Sequence, residues 1–462
     1  MRASGVTSST SQTRQSTVKT MFGVGSGNAI EWYDWGIYAV FAPFFASQFF
    51  HSASPVSNLL HSLVVFAVGF LGRPFGGLLF GWLADKAGRK ASMTWTVALS
   101  AGASLVIGLC PTYEAIGIAA GVILVLARLT QGLAHGGELP AAQTYIAETA
   151  PKERRGLWSS LIYFSGTIGQ LIALVLAAGI SSLLSAAAMH SYGWRIAFVL
   201  GGVFGLYSLY MRTRLEESEL FEEESKAVGQ KADRLGIWTD VRRQPRLLLQ
   251  ICGLVIGTTV LYYAWAISAP AYAIAVVGMP ASQALWAGAA AQVVFLIMLP
   301  LGGILSDRIG RKPMMFVSMG SLMALTFPLN AMLNSSPWSL FVVMSIALIP
   351  LGALAPVATA VYAEIFPTRI RTLGLALPYA LCVAIFGGTA PYLQTFFGNR
   401  GTPSTFLWYA IGLGVIFLGT VLTLPETKGI NLSTGTPDPA GPDQAIANSP
   451  ASPARPPTPK GS

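Results

Sequence analysis

Five ionisable side chains stand inside long apolar runs of this sequence: Glu31 and Asp34, Arg73, and Arg128 and Glu138, with His135 beside the last pair. A charge held in a hydrocarbon layer costs several kcal/mol unless paired or hydrated, so each is a candidate for function. Glu31 and Asp34 are three residues apart and share a helix face. Arg128, Gln131, His135 and Glu138 fall within an arc of roughly 80° at 100° per residue, one polar stripe on one helix. The chemistry open to such a set is reversible protonation coupled to anion binding. A carboxylate that takes up a proton releases its arginine, and the freed guanidinium holds an anionic ligand. The expected proton carrier is Asp34, with Glu31 as second choice and Arg128 or Arg73 as partner. Glu138 and His135 join the proton-coupling set, His135 either as a relay or as a hydrogen-bonded structural histidine. Arg73, Arg128 and Gln131 are the expected substrate contacts.

All of these lie in the first half of the chain. The apolar runs of the second half have no charged interior residue, so that half is expected to supply shape and neutral hydrogen bonds. Tyr262, Tyr263, Trp265, Gln292, Tyr379 and Gln394 are the residues selected for its wall. No metal-ligand cluster, nucleophile motif or phosphate loop is evident, so the reading is a non-enzyme without metal or cofactor, driven by a proton gradient.

The elements that position these residues follow from composition. Of 462 residues, 53% are hydrophobic and 11% charged, and a bilayer core needs about 20 apolar residues per helix. Twelve stretches qualify, near 24–50, 57–84, 91–110, 115–147, 155–184, 193–211, 247–278, 281–305, 313–333, 337–363, 370–398 and 404–423. The expected fold is all-α and integral to the membrane, twelve transmembrane helices in two six-helix pseudo-symmetric bundles. Counted along this topology, 25 of the 29 Lys and Arg fall on one side. The positive-inside rule places that side, with both termini, in the cytoplasm of a cell that carries the protein in its plasma (inner) membrane. The net charge of +9 is then a matter of topology and calls for no nucleic acid. The expected partners are the lipid bilayer, protons and a small-molecule substrate, with a monomeric protein. Residues 1–21 and 425–462 read as disordered cytoplasmic ends, 22–211 and 247–424 as the two bundles, and 212–246 as a cytoplasmic linker. Cys110, Cys252 and Cys382 read as isolated packing residues. Pro270, Pro300, Pro350, Pro356, Pro378 and Pro391 are expected to break helices of the second half.

Two segments recur at almost half the chain length. GWLADKAGRK at 81–90 and GILSDRIGRK at 303–312 share six identities, 222 residues apart. Glu148 and Arg155 of YIAETAPKERR correspond to Glu364 and Arg371 of VYAEIFPTRIR. Matching halves with basic turns between spans mark a repeat-built transporter. Asp85, Arg89, Lys90, Asp307, Arg311 and Lys312, with Glu148, Arg155, Glu364 and Arg371, are assigned to gating by ion pairs at helix ends.

The loop G-x-x-x-D-[KR]-x-G-R-K, its second copy and LPETKG at 424–429 resemble the major facilitator superfamily. GNAIEWYDWGIYAVFAPFF at 27–45, GRPFGGLLFGWLADKAGRK at 72–90 and RLTQGLAHGGELPAAQTYIAETAPKERRG at 128–156 resemble its metabolite:proton symporter family, over about 22 to 429. The resemblance implies the major facilitator fold. It also implies a symporter importing a small organic anion, such as α-ketoglutarate, citrate, shikimate or an aromatic acid, by alternating access. The alternative within the family is a proline or betaine symporter. A drug/proton antiporter is disfavoured because the fifth span, SLIYFSGTIGQLIALVLAAGI, lacks proline, and a non-transporting sensor lacks an appended domain. Leu139-Pro140 after Glu138 departs from the family pattern and is expected to bend the fourth span.

Overall fold

The computed structural model describes residues 7–52, 54–87, 89–136, 138–214, 240–367 and 370–432. Every element of regular secondary structure among them is helical. In chain order these are α1 (Thr7–Phe49), α2 (Pro55–Ala87), α3 (Arg89–Leu109), α4 (Ile118–His135, resumed as Glu138–Thr149), α5 (Arg155–Leu183) and α6 (Trp194–Arg214) in the first half. The second half holds α7 (Pro245–Ile267, continuing through Ala269–Tyr272 to Ala273–Val277), α8 (Ala281–Ile309), α9 (Arg311–Met332), α10 (Pro337–Glu364), α11 (Arg371–Asn399) and α12 (Pro403–Thr423). Nine of these are long and apolar enough to cross a membrane, and Thr94–Leu109 of α3 is a shorter apolar helix. Helices α1 and α6 complete the twelve.

The halves meet chiefly where α5 packs on α8 and where α2 packs on α11. These two seams are related by the sequence repeat, since the second helix of one half meets the fifth of the other in each. Close approach inside the first half is set by small residues. A methyl group added at Gly72 would stand 2.8 Å from the Leu129 carbonyl, and Gly76, Gly132 and Gly136 are in still closer contact across the α2–α4 seam. Backbone-to-backbone packing of this kind needs residues without side chains.

Several expectations are revised. Helix α1 reaches back to Thr7 rather than beginning near residue 24. The fourth-span helix ends at His135, with Gly136 in a turn, and resumes at Glu138, ahead of Pro140. Pro140 itself sits in the first turn of the resumed helix, where a missing N–H costs nothing. Helices α8 and α10 run through Pro300, Pro350 and Pro356 unbroken. A proline removes only one ladder bond, and a helix held on both sides by neighbours bridges the gap. The irregular helices are α7 and α11, where π turns occupy Tyr263–Ile267, Ala273–Val277 and Val383–Gly387. After α12, Leu424–Leu432 packs against the bundle rather than leaving it. The expected linker overlaps residues 215–239, which lie outside the described residues, as do the first six residues and those after 432.

Candidate functional site

The buried charges of the first half converge at mid-helix. Asp34 is held by two α3 hydroxyls: Ser100 Oγ donates to Oδ2 at 2.8 Å and Ser104 Oγ to Oδ1 at 3.3 Å. Ser100 Oγ also lies 3.1 Å from His135 Nε2. Gln131 Nε2 donates to Ser104 Oγ, and Arg128 Nη1 donates to Gln131 Oε1, both at 2.8 Å. Asp34 is thus joined to Arg128 through Ser104 and Gln131, and no direct ion pair between them is found. The direct, loose pair is Glu31 with Arg73, at 3.7 Å, with His135 Nδ1 at 4.0 Å from the same Glu31 oxygen.

Both arginines are stacked on aromatic rings. Arg73 stands 4.3 Å from the Trp35 ring centroid and 4.6 Å from that of Phe70. Arg128 lies 4.2 Å from Trp35 and 4.1 Å from Tyr38. Stacking fixes a guanidinium without using its in-plane donors. Arg128 is fully buried, yet its Nε and Nη2 have no hydrogen-bond partner, nor has Arg73 Nε. Leaving buried donors unmet costs about 1–3 kcal/mol each, more for a charged group.

A narrow hollow, with room for about one water, lies where the two halves meet. Glu31, Trp32, Trp35, Gly36 and Arg73 line it from α1 and α2, with Gln170 from α5 and Tyr263 and Ile267 from α7. All but Trp32 are buried. Gln170 has neither amide atom hydrogen-bonded although it is 1% exposed. Below it, Trp32, Tyr163 and Tyr262 meet edge-on across the halves, at centroid distances of 5.5–6.2 Å.

At the basic end, the repeated segments interlock. Arg155 Nη1 pairs with Glu364 Oε1 at 3.1 Å, and the equivalent Arg371 pairs with Glu148. Each half therefore supplies the arginine for the other half's acid. Arg311 Nη2 joins Glu364 at 3.3 Å and its Nη1 pairs with Asp307 at 2.8 Å. Asp307 also accepts the backbone N–H groups of Gly156 (2.8 Å) and Leu157 (2.9 Å), capping α5 from across the seam. Gly156 and Gly303 make this possible: a methyl at either would stand 2.5–2.6 Å from the other's carbonyl oxygen. The segment after α12 closes over the end. Glu426 accepts from the backbone N–H of Arg311, Lys312 and Lys428 at 2.8–3.0 Å. Thr427 donates to Glu364, and the carbonyls of Ile430 and Leu432 accept from Arg155 and Arg371. Burial alone would push the Glu426 carboxyl up, but the three backbone donors and the Arg311 charge hold it below the ordinary carboxylate range.

Comparison with known proteins fits this geometry. The family model described as "Sugar (and other) transporter" matches residues 20–244, and that of the Major Facilitator Superfamily matches residues 254–455. Alpha-ketoglutarate permease of Escherichia coli (strain K12) is 36% identical over 427 residues, covering 92% of this chain and 97% of its own. The chain belongs to the major facilitator superfamily. It is a multi-pass membrane transporter and not an enzyme. The glycine betaine/proline/ectoine/pipecolic acid transporter OusA of Dickeya dadantii (strain 3937) is 32% identical, covering 91% of this chain and 85% of its own. A solved proton:xylose symporter bound to 6-bromo-6-deoxy-D-glucose has the same fold at TM-score 0.67 and 20% identity, over 90% of this chain and 97% of its own.

The transporter brings together part of the set that sequence selected. Glu31, Asp34, Arg73, Arg128, Gln131 and His135 form one network, and Tyr263 faces it across the cavity. Tyr262 and Tyr379 are buried nearby, Tyr379 against Tyr362 at 6.0 Å. Three others do not reach the central cavity. Trp265 and Gln394 line a separate hollow within the second half, with Leu261, Tyr272 and Asn330, and Gln394 accepts from Ser268 at 2.7 Å. Gln292 donates to the Ala266 carbonyl at 2.5 Å, which satisfies a backbone group of the α7 π turn. The π turns rotate α7, so helical spacing alone misplaces the residues beyond Tyr263. Glu31, not Asp34, is the acid beside Arg73. The side chains of Asp85, Arg89, Lys90 and Glu138 lie outside the described residues. Gln170, Ser100 and Ser104 were missed: neutral polar residues within a span carry no charge signal, and only an unmet amide or a short hydroxyl contact reveals them.

Proposed function

We propose that this transporter is a proton-coupled importer of a small organic anion that works by alternating access. One observation carries the reading. Among the described residues around the central cavity, two arginines face two carboxylates, Glu31 and Asp34, so the buried set is neutral when both acids are ionised. Protonating either acid leaves one net positive charge in a low-dielectric region. A substrate carboxylate on Arg73 or Arg128 restores neutrality, so proton and anion favour each other's binding. Glu31 is the acid whose protonation frees Arg73 directly. Asp34 acts on Arg128 through Ser104 and Gln131. Gln170 and Tyr263 complete the substrate's hydrogen bonds.

The reading includes the basic end as the cytoplasmic side of the plasma (inner) membrane, and a monomer built of bundles 22–211 and 247–424 joined by the 212–246 linker. The crossed pairs Arg155–Glu364 and Arg371–Glu148, with Asp307, Arg311 and Lys312, then form a closed cytoplasmic gate over an occluded site. Asp85, Arg89 and Lys90 keep their proposed gating roles on repeat grounds, and Glu138 its coupling role from the polar stripe of the fourth span.

A second reading, a symporter of a zwitterion such as proline or betaine, draws on the aromatic lining of Trp32, Trp35, Phe66 and Tyr263, a surface suited to a quaternary ammonium. A zwitterion brings no net charge, so it leaves the protonated site positive. Uptake by proteoliposomes under an inward proton gradient decides between them. Uncoupler-sensitive accumulation of α-ketoglutarate or citrate, lost in Asp34→Asn and Glu31→Gln with exchange of pre-loaded substrate retained in at least one, supports the anion reading. Accumulation of betaine alone, or of a carboxylate without dependence on the gradient, refutes it.

A further inference from the structure

The first half contains a second, half-open hollow of about 40 Å³, none of whose lining residues comes from the second half. Its walls come from α1, α3, α4 and α6, and it shares a single residue, Glu31, with the cavity between the halves. Exposure along it is graded. Asp34, Ser100, His135 and Gly205 are buried, whereas Gly27, Thr96 and Val97 are partly exposed. Gly27 precedes Asp34 by seven residues on α1, roughly 10 Å nearer the basic end at 1.5 Å per residue. Thr96 lies about 10 Å from the basic start of α3 on the same scale. The hollow therefore runs from the carboxylate toward the basic end, inside one bundle, with room for about two or three waters.

The groups facing Asp34 form a connected path to Glu31. From α3 come the hydroxyls of Ser100 and Ser104, and from α4 come His135 and, through Gln131, Arg128. Helix α1 adds Glu31 and Tyr33, α2 adds Arg73 beside Glu31, and α6 presents only the backbone of Gly201. With the proton on Asp34, its O–H donates to Ser100 Oγ, the Ser100 O–H to His135 Nε2, and His135 Nδ1–H points to Glu31. Concerted transfer leaves Asp34 ionised, Ser100 donating to it, the proton of His135 on Nε2, and Glu31 protonated. One proton has moved from one acid to the other, and no group is left charged along the way. The last leg, 4.0 Å in this conformation, closes by a side-chain shift of about 1 Å or by one water, since a hydrogen bond spans 2.7–3.2 Å.

We infer that protons reach and leave the carboxylate pair through this hollow inside the first bundle, over a Ser100–His135 relay, while substrate uses the path between the bundles. The inference rests on the symport reading and deepens it. Proton release to the basic side then does not require the crossed arginine gate to open. A transporter of this design releases its proton through a static conduit and its substrate through a moving one.

Val97 lines the hollow, is not among the residues lining the cavity between the halves, and carries no group that relays a proton, so it serves as the test. Val97→Phe fills the conduit. Proton-driven uptake should slow by roughly tenfold or more, the scale of a lost proton-transfer path, with substrate exchange at equal pH on both sides within about twofold of the parent. Uptake and exchange both at parental rates overturn the inference, as does an equal loss of the two in a protein that reaches the membrane in normal amount. Should Val97→Phe fail to fold, a Val97→Cys protein with Cys110, Cys252 and Cys382 replaced by serine gives a second readout. A membrane-impermeant thiosulfonate applied to the basic face should label it while leaving Tyr263→Cys unlabelled in the closed state. Labelling of Tyr263→Cys and not Val97→Cys overturns the proposal. Asp34→Asn, measured in parallel, separates failure of the conduit from failure of the symport reading: gradient-driven uptake unaffected by Asp34→Asn sinks the latter.

Discussion

Glu364 and Glu148 occupy equivalent positions in the two halves, each bound to the arginine of the other half, yet their surroundings differ enough to give a quantitative prediction. The Glu364 side chain is fully buried and its Oε1 takes both Arg155 and Arg311, while Oε2 takes Thr427. The Glu148 side chain is 41% exposed and pairs with Arg371. Breaking a buried pair costs about 3–5 kcal/mol because a charge is left uncompensated, whereas an exposed pair is worth about 0–1 kcal/mol. Glu364→Gln leaves Arg155 and one arm of Arg311 without a counter-charge only while the gate is closed, since opening hydrates both. At about 3 kcal/mol, the closed form loses roughly two orders of magnitude in population relative to the open one. Glu148→Gln should shift it less than about fivefold. Spin labels at Glu153 and Arg308, both exposed on opposite halves at the basic end, report the opening as a longer inter-label distance by pulsed electron resonance. Equal shifts for the two variants, or a larger one for Glu148→Gln, would refute the argument that burial rather than symmetry sets the strength of the gate.

Gln170→Ala removes an amide whose two polar atoms are unmet in the empty cavity; KM for the transported anion should rise about tenfold, one hydrogen bond to a charged group, with little change in thermal stability measured on the purified protein. Gly303→Ala places a methyl 2.5 Å from the Gly156 carbonyl, so it should hold the basic end open and lower exchange and accumulation alike, read by the same spin labels. Because Glu426 has a folded pKa below its ordinary value, its hold on Arg311 and Lys312 is present above about pH 4.3 and is lost as pH falls through the lowered value. Amide exchange at those two N–H groups, corrected for intrinsic rate, should be flat between about pH 5 and 8 and rise only at stronger acid. Glu426→Gln should raise it throughout.

Much of the architecture can be read from the chain because membranes leave few choices. Apolar run length sets the spans, and the asymmetric Lys and Arg separate one end from the other. The small residues at Gly72, Gly76, Gly132 and Gly136 mark the α2–α4 seam before any coordinates exist. The recurrence of Glu148–Arg155 in Glu364–Arg371 marks the proposed gate, but its crossed pairing is not legible. A repeat says which residues are equivalent, and only the packing of α5 on α8 says whose partner is whose. The choice of Glu31 over Asp34 as the neighbour of Arg73 has the same origin. Both acids share a face at i and i+3, and a rotation of α1 by a few tens of degrees exchanges their partners. Trp265 lies in the π turn where α7 leaves the 3.6-residue period and Gln394 beyond the π turn of α11, changes that no spacing argument anticipates, while Gln292 of α8 turns to the Ala266 carbonyl. The docking of Leu424–Leu432 on the gate was hidden by a Pro-, Gly- and Ser-rich composition in the residues that follow it.

The crossed pairing has a consequence for how the protein is made. A nascent chain whose first six helices are already in the bilayer carries Arg155 without its acid and Glu148 without its arginine. Both stay unmet until α10 and α11 have been inserted. Neither half is electrostatically complete as a product of synthesis, so the second half arrives to a docking site that is already charged and oriented to receive it. Two fragments cut within the 212–246 segment and produced together should find each other by the same pairs. On the proposed reading, the ion pairs that close the gate in each transport cycle would first have served, once per molecule, as the instruction for assembling it.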